Sequence, residues 1–144
     1  MQRPLVYHNR LGFWFILMGA VWCSGCSSAK PSDQPDLGEV SGTVTLDGNP
    51  LSDATVSFQS VELGRMASGK TDAQGHYELI LLNDTKGAVV GANKVFITTA
   101  QPGDDANPGS AKRETLPKKY HEKSELTADV KAEPNEFNFD LNSK

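Results

Sequence analysis

The run "VSGTVTL", residues 40–46, repeats with a period of two. Val40, Gly42, Val44 and Leu46 fall on one face, and Ser41, Thr43 and Thr45 on the other. Alternation rich in Val and Thr describes a strand buried on one side only. A strand of this kind cannot bury its apolar face alone, so the rest of the chain has to supply a second sheet. The same period returns in "ATVSFQS", residues 54–60, with Ala54, Val56 and Phe58 inward, and in "KVFITTA", residues 94–100, with Val95 and Ile97 inward. It returns again at Leu126, Ala128 and Val130, and at Phe137, Phe139 and Leu141, with "AEPN" as the turn between those last two strands. Asp47-Gly48 supplies the positive backbone angles of a tight turn, and Pro50 sets its exit. Asp72-Ala73-Gln74-Gly75 reads as a type I turn closed by a residue able to go left-handed. Around that turn, residues 66–82 read as a hairpin with Tyr77, Leu79 and Leu81 inward. Ile80 and Leu82 interrupt the polar face, which predicts cover on both sides of that strand end. No helical period and no internal repeat is present. The 13 Gly, 8 Pro and few aromatic residues suit many turns between short strands. Seven short strands predict an all-β domain of two antiparallel sheets stacked face to face.

The first 25 residues differ in character. "MQRPLVYHNR" holds Arg3 and Arg10 and no acid, and "LGFWFILMGAVW", residues 11–22, holds no charge. A basic stretch, an apolar stretch and then small residues make an export signal. Twelve apolar residues fall short of the roughly 20 that a membrane-spanning helix needs. Residues 27–38, "SSAKPSDQPDLG", are polar with two prolines and read as a tether. The division expected is a leader over 1–25, a tether over 26–38 and a β-sandwich over 39–144.

Both cysteines lie at the end of the leader, in "CSGC", residues 23–26. A redox pair of this spacing opens a helix beside a βαβ unit, and none follows. A zinc site needs two more ligands, and only His76 and His121 remain downstream, far apart. A disulfide between Cys23 and Cys26 would join residues on either side of a cut. Small side chains at Ser24 and Gly25 suit a peptidase that leaves Cys26 as the first residue. The stretch resembles the lipobox of bacterial lipoproteins, with Cys23 at the position where Leu or Val is usual. That resemblance implies a diacylglyceryl thioether on Cys26 and an acylated amine. More than one acyl chain makes attachment stable, each buried CH₂ contributing about 0.8 kcal/mol. Ser27 after the cysteine, in place of Asp, implies no retention at the inner membrane. A cut after Ala29, which "SSA" also permits, would instead give a soluble secreted protein.

The formal net charge is −4, and loss of Arg3 and Arg10 with the leader makes it −6. No basic face suggests a nucleic-acid partner. Within this acidic chain, residues 112–123, "KRETLPKKYHEK", carry five basic and two acidic side chains. That loop is the part best suited to an anionic envelope polymer or the acidic face of a protein. Residues 101–115 lack periodicity and read as a long mobile surface loop.

Candidate chemistry is sparse. His76 sits on the polar face where a strand leaves a turn, and His121 lies beside Tyr120 and Glu122. Neither has a nucleophile placed by the sequence. Asp104 and Asp105 lie in "GDDANPG", which lacks the regular oxygen spacing of a calcium loop. "GAVVGAN", residues 87–93, lacks the Lys and the following helix of a phosphate loop. Tyr120 reads as a plug for the sandwich edge.

Taken in order, "VSGTVTLDGNPLSDATVSF", "GKTDAQGHYEL", "LPKKY" and "EFNFDL" resemble the carboxypeptidase-regulatory-like, or transthyretin-like, domains of short bacterial lipoproteins. The resemblance covers about residues 39–142. It implies a seven-stranded Greek-key sandwich of accessory or structural use, with no catalytic residues and no cofactor. Transthyretin-like hydrolases end in Tyr-Arg-Gly-Ser, whereas this chain ends "FDLNSK". Adhesin sandwiches that cross-link a first-strand Lys to a last-strand Asn have Asn138 and Asn142 as counterparts here, but residues 39–47 contain no Lys. The expectation is a non-enzymatic, lipid-anchored module of the cell envelope that contacts envelope protein or glycan. A carbohydrate-binding sandwich is the second expectation.

Overall fold

The computed structural model describes residues 34–82, 84–104 and 106–144. The leader, Cys26 and most of the expected tether lie outside them. The described chain runs through thirteen strand segments, beginning with β1 (Leu37–Gly38), β2 (Val40–Leu46), β3 (Asn49–Pro50), β4 (Thr55–Ser60) and β5 (Met66–Lys70). Next come β6 (His76–Glu78), β7 (Ile80–Leu81), β8 (Thr85–Lys86), β9 (Ala88–Val89) and β10 (Gly91–Thr98). The last are β11 (Thr127–Val130), β12 (Asn135–Glu136) and β13 (Phe139–Leu141). Single 3₁₀ turns at Pro108–Ser110 and Lys118–Tyr120 interrupt the long segment before β11.

The segments form two main sheets and a short pair. One sheet has the order β11-β10-β4-β5-β7-β8, and the other is built around β2. On one edge β2 meets β3 and β6, and on the other β12 and β13. β1 pairs with β9, so Leu37 and Gly38, read from the sequence as the end of the tether, already belong to the sheet structure. Alternation decides which face each sheet buries. Val40, Val44, Tyr77 and Leu141 come from the β2 sheet, and Val56, Phe58, Ala67, Val95, Ile97, Ala128 and Val130 from the other, into one shared core. The rings of Phe58 and Phe137 lie 5.7 Å apart, Phe58 and Phe139 6.2 Å, and Tyr77 and Phe139 6.4 Å. Aromatic pairs at these separations add to the burial term. The fold is therefore an all-β domain whose sheets pack as a sandwich.

Two pairings differ from the sequence expectation. The sandwich is not antiparallel throughout, because β12 and β13 run parallel to β2. β11 ends at Val130 opposite Gly91, and the chain then joins β2 at its beginning, where Asn135 pairs with Val40. From there it can only run in the direction of β2. The hairpin expected over 66–82 is also divided. The turn forms as read, with Gly75 left-handed at φ +77, its N–H donating to the Asp72 carbonyl at 3.0 Å. The Asp72 carboxylate accepts from the N–H groups of Gln74 and His76, both at 2.9 Å. Beyond the turn, however, β6 pairs with β2, and only β7 returns to β5, through Ser68 and Ile80. Residues 76–81 thus switch sheets, as strands do at sandwich corners. Cover on both faces of this segment is not found either: Ile80 and Leu82 are exposed.

The strands give the sandwich two distinct ends. At one, the Asp36 carbonyl accepts from Val90 N–H, and the Ala92 carbonyl accepts from Val61 N–H, each at 2.9 Å. The chain therefore enters the domain beside the turn 61–65. At the other end lie the Asp47-Gly48 turn, the turn 72–75, residues 99–124 and the carboxyl terminus. Asp47 and Gly48 both have positive φ, 49° and 81°, as a two-residue hairpin requires.

Candidate functional site

The far end is built on residues 99–124, within the long stretch between β10 and β11. The surface loop expected over 101–115 is tied at its base. Gln101 and Lys112 exchange backbone hydrogen bonds of 3.0 Å each, closing the loop between them. Glu114 then serves as an anchor. Its carboxylate accepts from the Thr98 hydroxyl, from the Thr99 hydroxyl at 2.7 Å and from the backbone N–H groups of Thr115 and Leu116 at 2.9 and 2.8 Å. Burial alone would push the Glu114 pKa up. The hydroxyls of Thr98 and Thr99 and the N–H groups of Leu116 and Thr99 outweigh it and bring the pKa from 4.5 down to about 2.

That displacement makes stability depend on pH. Unfolded, Glu114 takes up a proton near its ordinary 4.5, and folded only near 2, so the unfolded state binds more protons in between. The contribution is complete above the unfolded value and is lost as pH falls toward the folded one. Glu114→Gln is expected to lower stability at neutral pH by about 1–2 kcal/mol, the low range for charge-assisted bonds because the carboxylate is partly solvated. It is also expected to flatten the fall in stability below the ordinary carboxylate value. Urea unfolding of both proteins across acid pH measures this. An unchanged acid limb would show that Glu114 does not anchor the loop.

A second tie comes from Asp53, which stands between Lys70 at 2.9 Å and Lys112 at 3.2 Å. The hydrogen bonds from Lys70 and Lys112, followed by their charges, hold the Asp53 carboxyl below its ordinary range. The Gln101 side-chain amide donates to the Asp53 carbonyl at 2.9 Å. The loop base is thereby fastened to the start of β4 and the end of β5. Leu116 and Tyr120 close the core beneath it, both buried. The Tyr120 hydroxyl accepts from Asn142 N–H at 3.0 Å, joining the loop to the end of the chain. Tyr120 is the edge plug read from the sequence, and its ring face is not offered as a platform for a sugar.

The basic run 112–123 lies on this end. Lys112 is paired with Asp53 and Lys118 with Glu122 at 3.0 Å. Lys119 donates to the Lys144 carbonyl at 2.8 Å and lies 5.1 Å from the Tyr120 ring centroid. Arg113 and Lys123 are exposed. Part of the local positive charge is thus spent inside the loop, which leaves a smaller basic face than the sequence count suggests.

The other residues singled out from the sequence do not converge. His76 is exposed on β6, and a ring nitrogen of His121, Nε2, lies 3.0 Å from the Leu116 carbonyl. Asp104 is exposed, its carboxylate accepting from Ala106 N–H at 3.2 Å, and Asp105 lies outside the described residues. The Asn138 side-chain carbonyl accepts from Thr43 N–H and the Thr43 hydroxyl, both at 2.8 Å, so its neighbour on β2 is a threonine. Cys26, the lipidation candidate, lies outside the described residues. Among the described residues, no three of His, Cys, Asp and Glu gather as metal ligands.

Sequence reasoning missed Glu114 and Asp53 as organising residues. The partners that tie them to other strands, Thr98 and Thr99 for Glu114 and Lys70 and Lys112 for Asp53, lie fifteen or more positions away, and no local spacing marks such a pairing. A comparison of the sequence with protein families finds no match, and a comparison with curated proteins finds no relative.

Proposed function

We propose that the chain is a non-enzymatic, lipid-anchored module of the bacterial envelope, of the carboxypeptidase-regulatory-like, transthyretin-like kind, whose work is positional. Acyl chains on Cys26 hold it at a membrane, and the far-end loops meet an envelope protein or an anionic glycan. The observation carrying this reading is the polarity of the domain. The chain enters beside Val90, whereas the segment 99–124, fastened by Glu114 and Asp53, occupies the opposite end. An anchor on the amino-terminal side would therefore present that segment away from the bilayer. The turn chemistry of "TDAQGHYEL", with its buried Tyr77, supports the family resemblance, and the parallel pairing of β13 with β2 defines the topology that a family assignment must match.

Cys26→Ala tests the anchor. In fractionated cells the parent chain is expected in the membrane pellet and the variant in the soluble fraction. Mass spectrometry of the parent is expected to find a mature chain starting at an acylated Cys26. A mature chain beginning at Lys30, or a variant that still sediments, would replace this reading with that of a secreted protein cut after Ala29.

A further inference from the structure

The end of the sandwich where the chain enters the domain carries exposed apolar side chains. Among the described residues, the exposed large hydrophobics are Val61, Leu63, Met66, Ile80 and Leu82, with Val61 69% and Leu82 79% exposed. The topology brings them together. Val61 and Leu63 lie in the turn between β4 and β5, and Met66 opens β5. Ile80 pairs with Ser68, so two residues further along antiparallel strands Leu82 comes level with Met66. Val61 N–H is bonded to Ala92, two residues beyond Val90, which holds Asp36. The cluster therefore sits at the end where the chain enters the domain. Soluble domains seldom leave so many large apolar side chains together in water without use.

We propose that this cluster is a membrane-contact surface, inserted into the interfacial layer of the bilayer that holds Cys26. The inference rests on the lipid-anchor reading. Only ten residues, 27–36, separate Cys26 from the point of entry, a maximum of about 35 Å when fully extended. A short tether turns contact with the bilayer into an intramolecular event at high effective concentration, so modest apolar area suffices. The neighbouring charges are of mixed sign: Glu62 and Arg65 lie in the turn, Asp84 beyond Leu82, and Lys86 is paired with Glu78 at 3.2 Å. They favour neither an anionic nor a cationic partner, and apolar area is what remains to be matched. Insertion would fix the axis of the sandwich and aim the 99–124 end outward.

Trp14 and Trp22 precede Cys26, and the chain has 2 Trp in all, so the processed protein contains none. A tryptophan introduced into the full-length chain becomes, after processing, the sole reporter. Leu63→Trp and Leu82→Trp probe the cluster, each serving if the other fails to fold. Ala111→Trp, exposed on the far end, is the control. The purified acylated proteins are placed in vesicles of phosphatidylethanolamine and phosphatidylglycerol with bromine on the acyl tails. Emission at 63 and 82 is expected to shift to the blue and lose most of its intensity, while emission at 111 keeps both colour and intensity. Vesicle-bound protein without quenching at 63 and 82 would overturn the inference and leave the anchor standing. A blue shift without quenching would overturn it in favour of a second copy covering the cluster. Protein that does not float with the vesicles would overturn the anchor, and this inference with it.

Discussion

Alanine at position 58 is expected to remove about 3–5 kcal/mol of stability, the range for deleting a buried phenyl ring. A domain of this size holds on the order of 5–15 kcal/mol, so the variant loses a large fraction of it. Phe58 has no exposed surface and lies in β4, between Val95 of β10 and Ala67 of β5. Across the interlayer space it meets the rings of Phe137 and Phe139. It is therefore the side chain through which the larger sheet grips the strand segments that close the smaller one. Phe96, between the core positions Val95 and Ile97 but on the opposite face of β10, makes the control. It is half-buried with the Lys94 ammonium 5.6 Å from its ring centroid. Phe96→Ala is expected to cost less than about 1 kcal/mol, as surface changes do. Urea midpoints for the two variants compare them directly. A Phe58→Ala midpoint no lower than that of Phe96→Ala would mean the sheets are not held together at this ring.

Gly42→Ala is expected to be nearly as damaging, for a reason of space. A Cβ at position 42 would lie 1.9 Å from the Phe137 carbonyl oxygen and 2.7 Å from its carbon. These are backbone atoms of the segment joining β12 to β13 and have no rotamer by which to move away. That same carbonyl accepts the Tyr77 hydroxyl at 2.8 Å, and Tyr77 pairs with Gly42 across β2 and β6. The missing side chain leaves room for the carbonyl that satisfies a buried phenol. Burial holds the Tyr77 hydroxyl pKa above its ordinary value, so it stays a donor. Overpacking costs about 1–3 kcal/mol, and a buried hydroxyl left unpaired adds about 1–3 kcal/mol. Tyr77→Phe alone is expected to cost about 1–2 kcal/mol. In the Gly42→Ala background it should cost nothing and recover part of the loss, because it removes the hydroxyl left unpaired. Additive losses in that cycle would disprove the coupling.

These two positions also mark how far the sequence could be read. Period two identified β2, β4, β10 and the inward residues Val44, Phe58, Tyr77 and Ile97, because alternation reports the face that a side chain takes. It carries no record of partner or direction. Residues 76–81 keep Tyr77, Leu79 and Leu81 inward as expected, yet they divide between two sheets. Val40 and Phe139 alternate as expected, yet their strands run parallel. Turn chemistry was equally legible at Asp47-Gly48 and Gly75, where positive φ restricts the residue. Gly42 was read only as a place on an apolar face, since a close backbone approach from a segment about 95 positions away leaves no local mark. The far-end scaffold of Glu114, Thr98 and Thr99 was hidden for the same reason. Ile80 and Leu82 pointed to cover on both sides of their strand end, yet both side chains are exposed, since an apolar residue records no partner.

The parallel contact between β2 and the last strand, β13, has a mechanical consequence. β2 begins where the chain arrives from its amino-terminal side, and β13 ends near Lys144, at the opposite pole. Tension applied between the two termini drags these neighbours in opposite directions along their own length. Their cross-strand bonds are then strained together rather than peeled one by one. A weight hung from the far pole would meet the resistance of a lap joint, not of a zip.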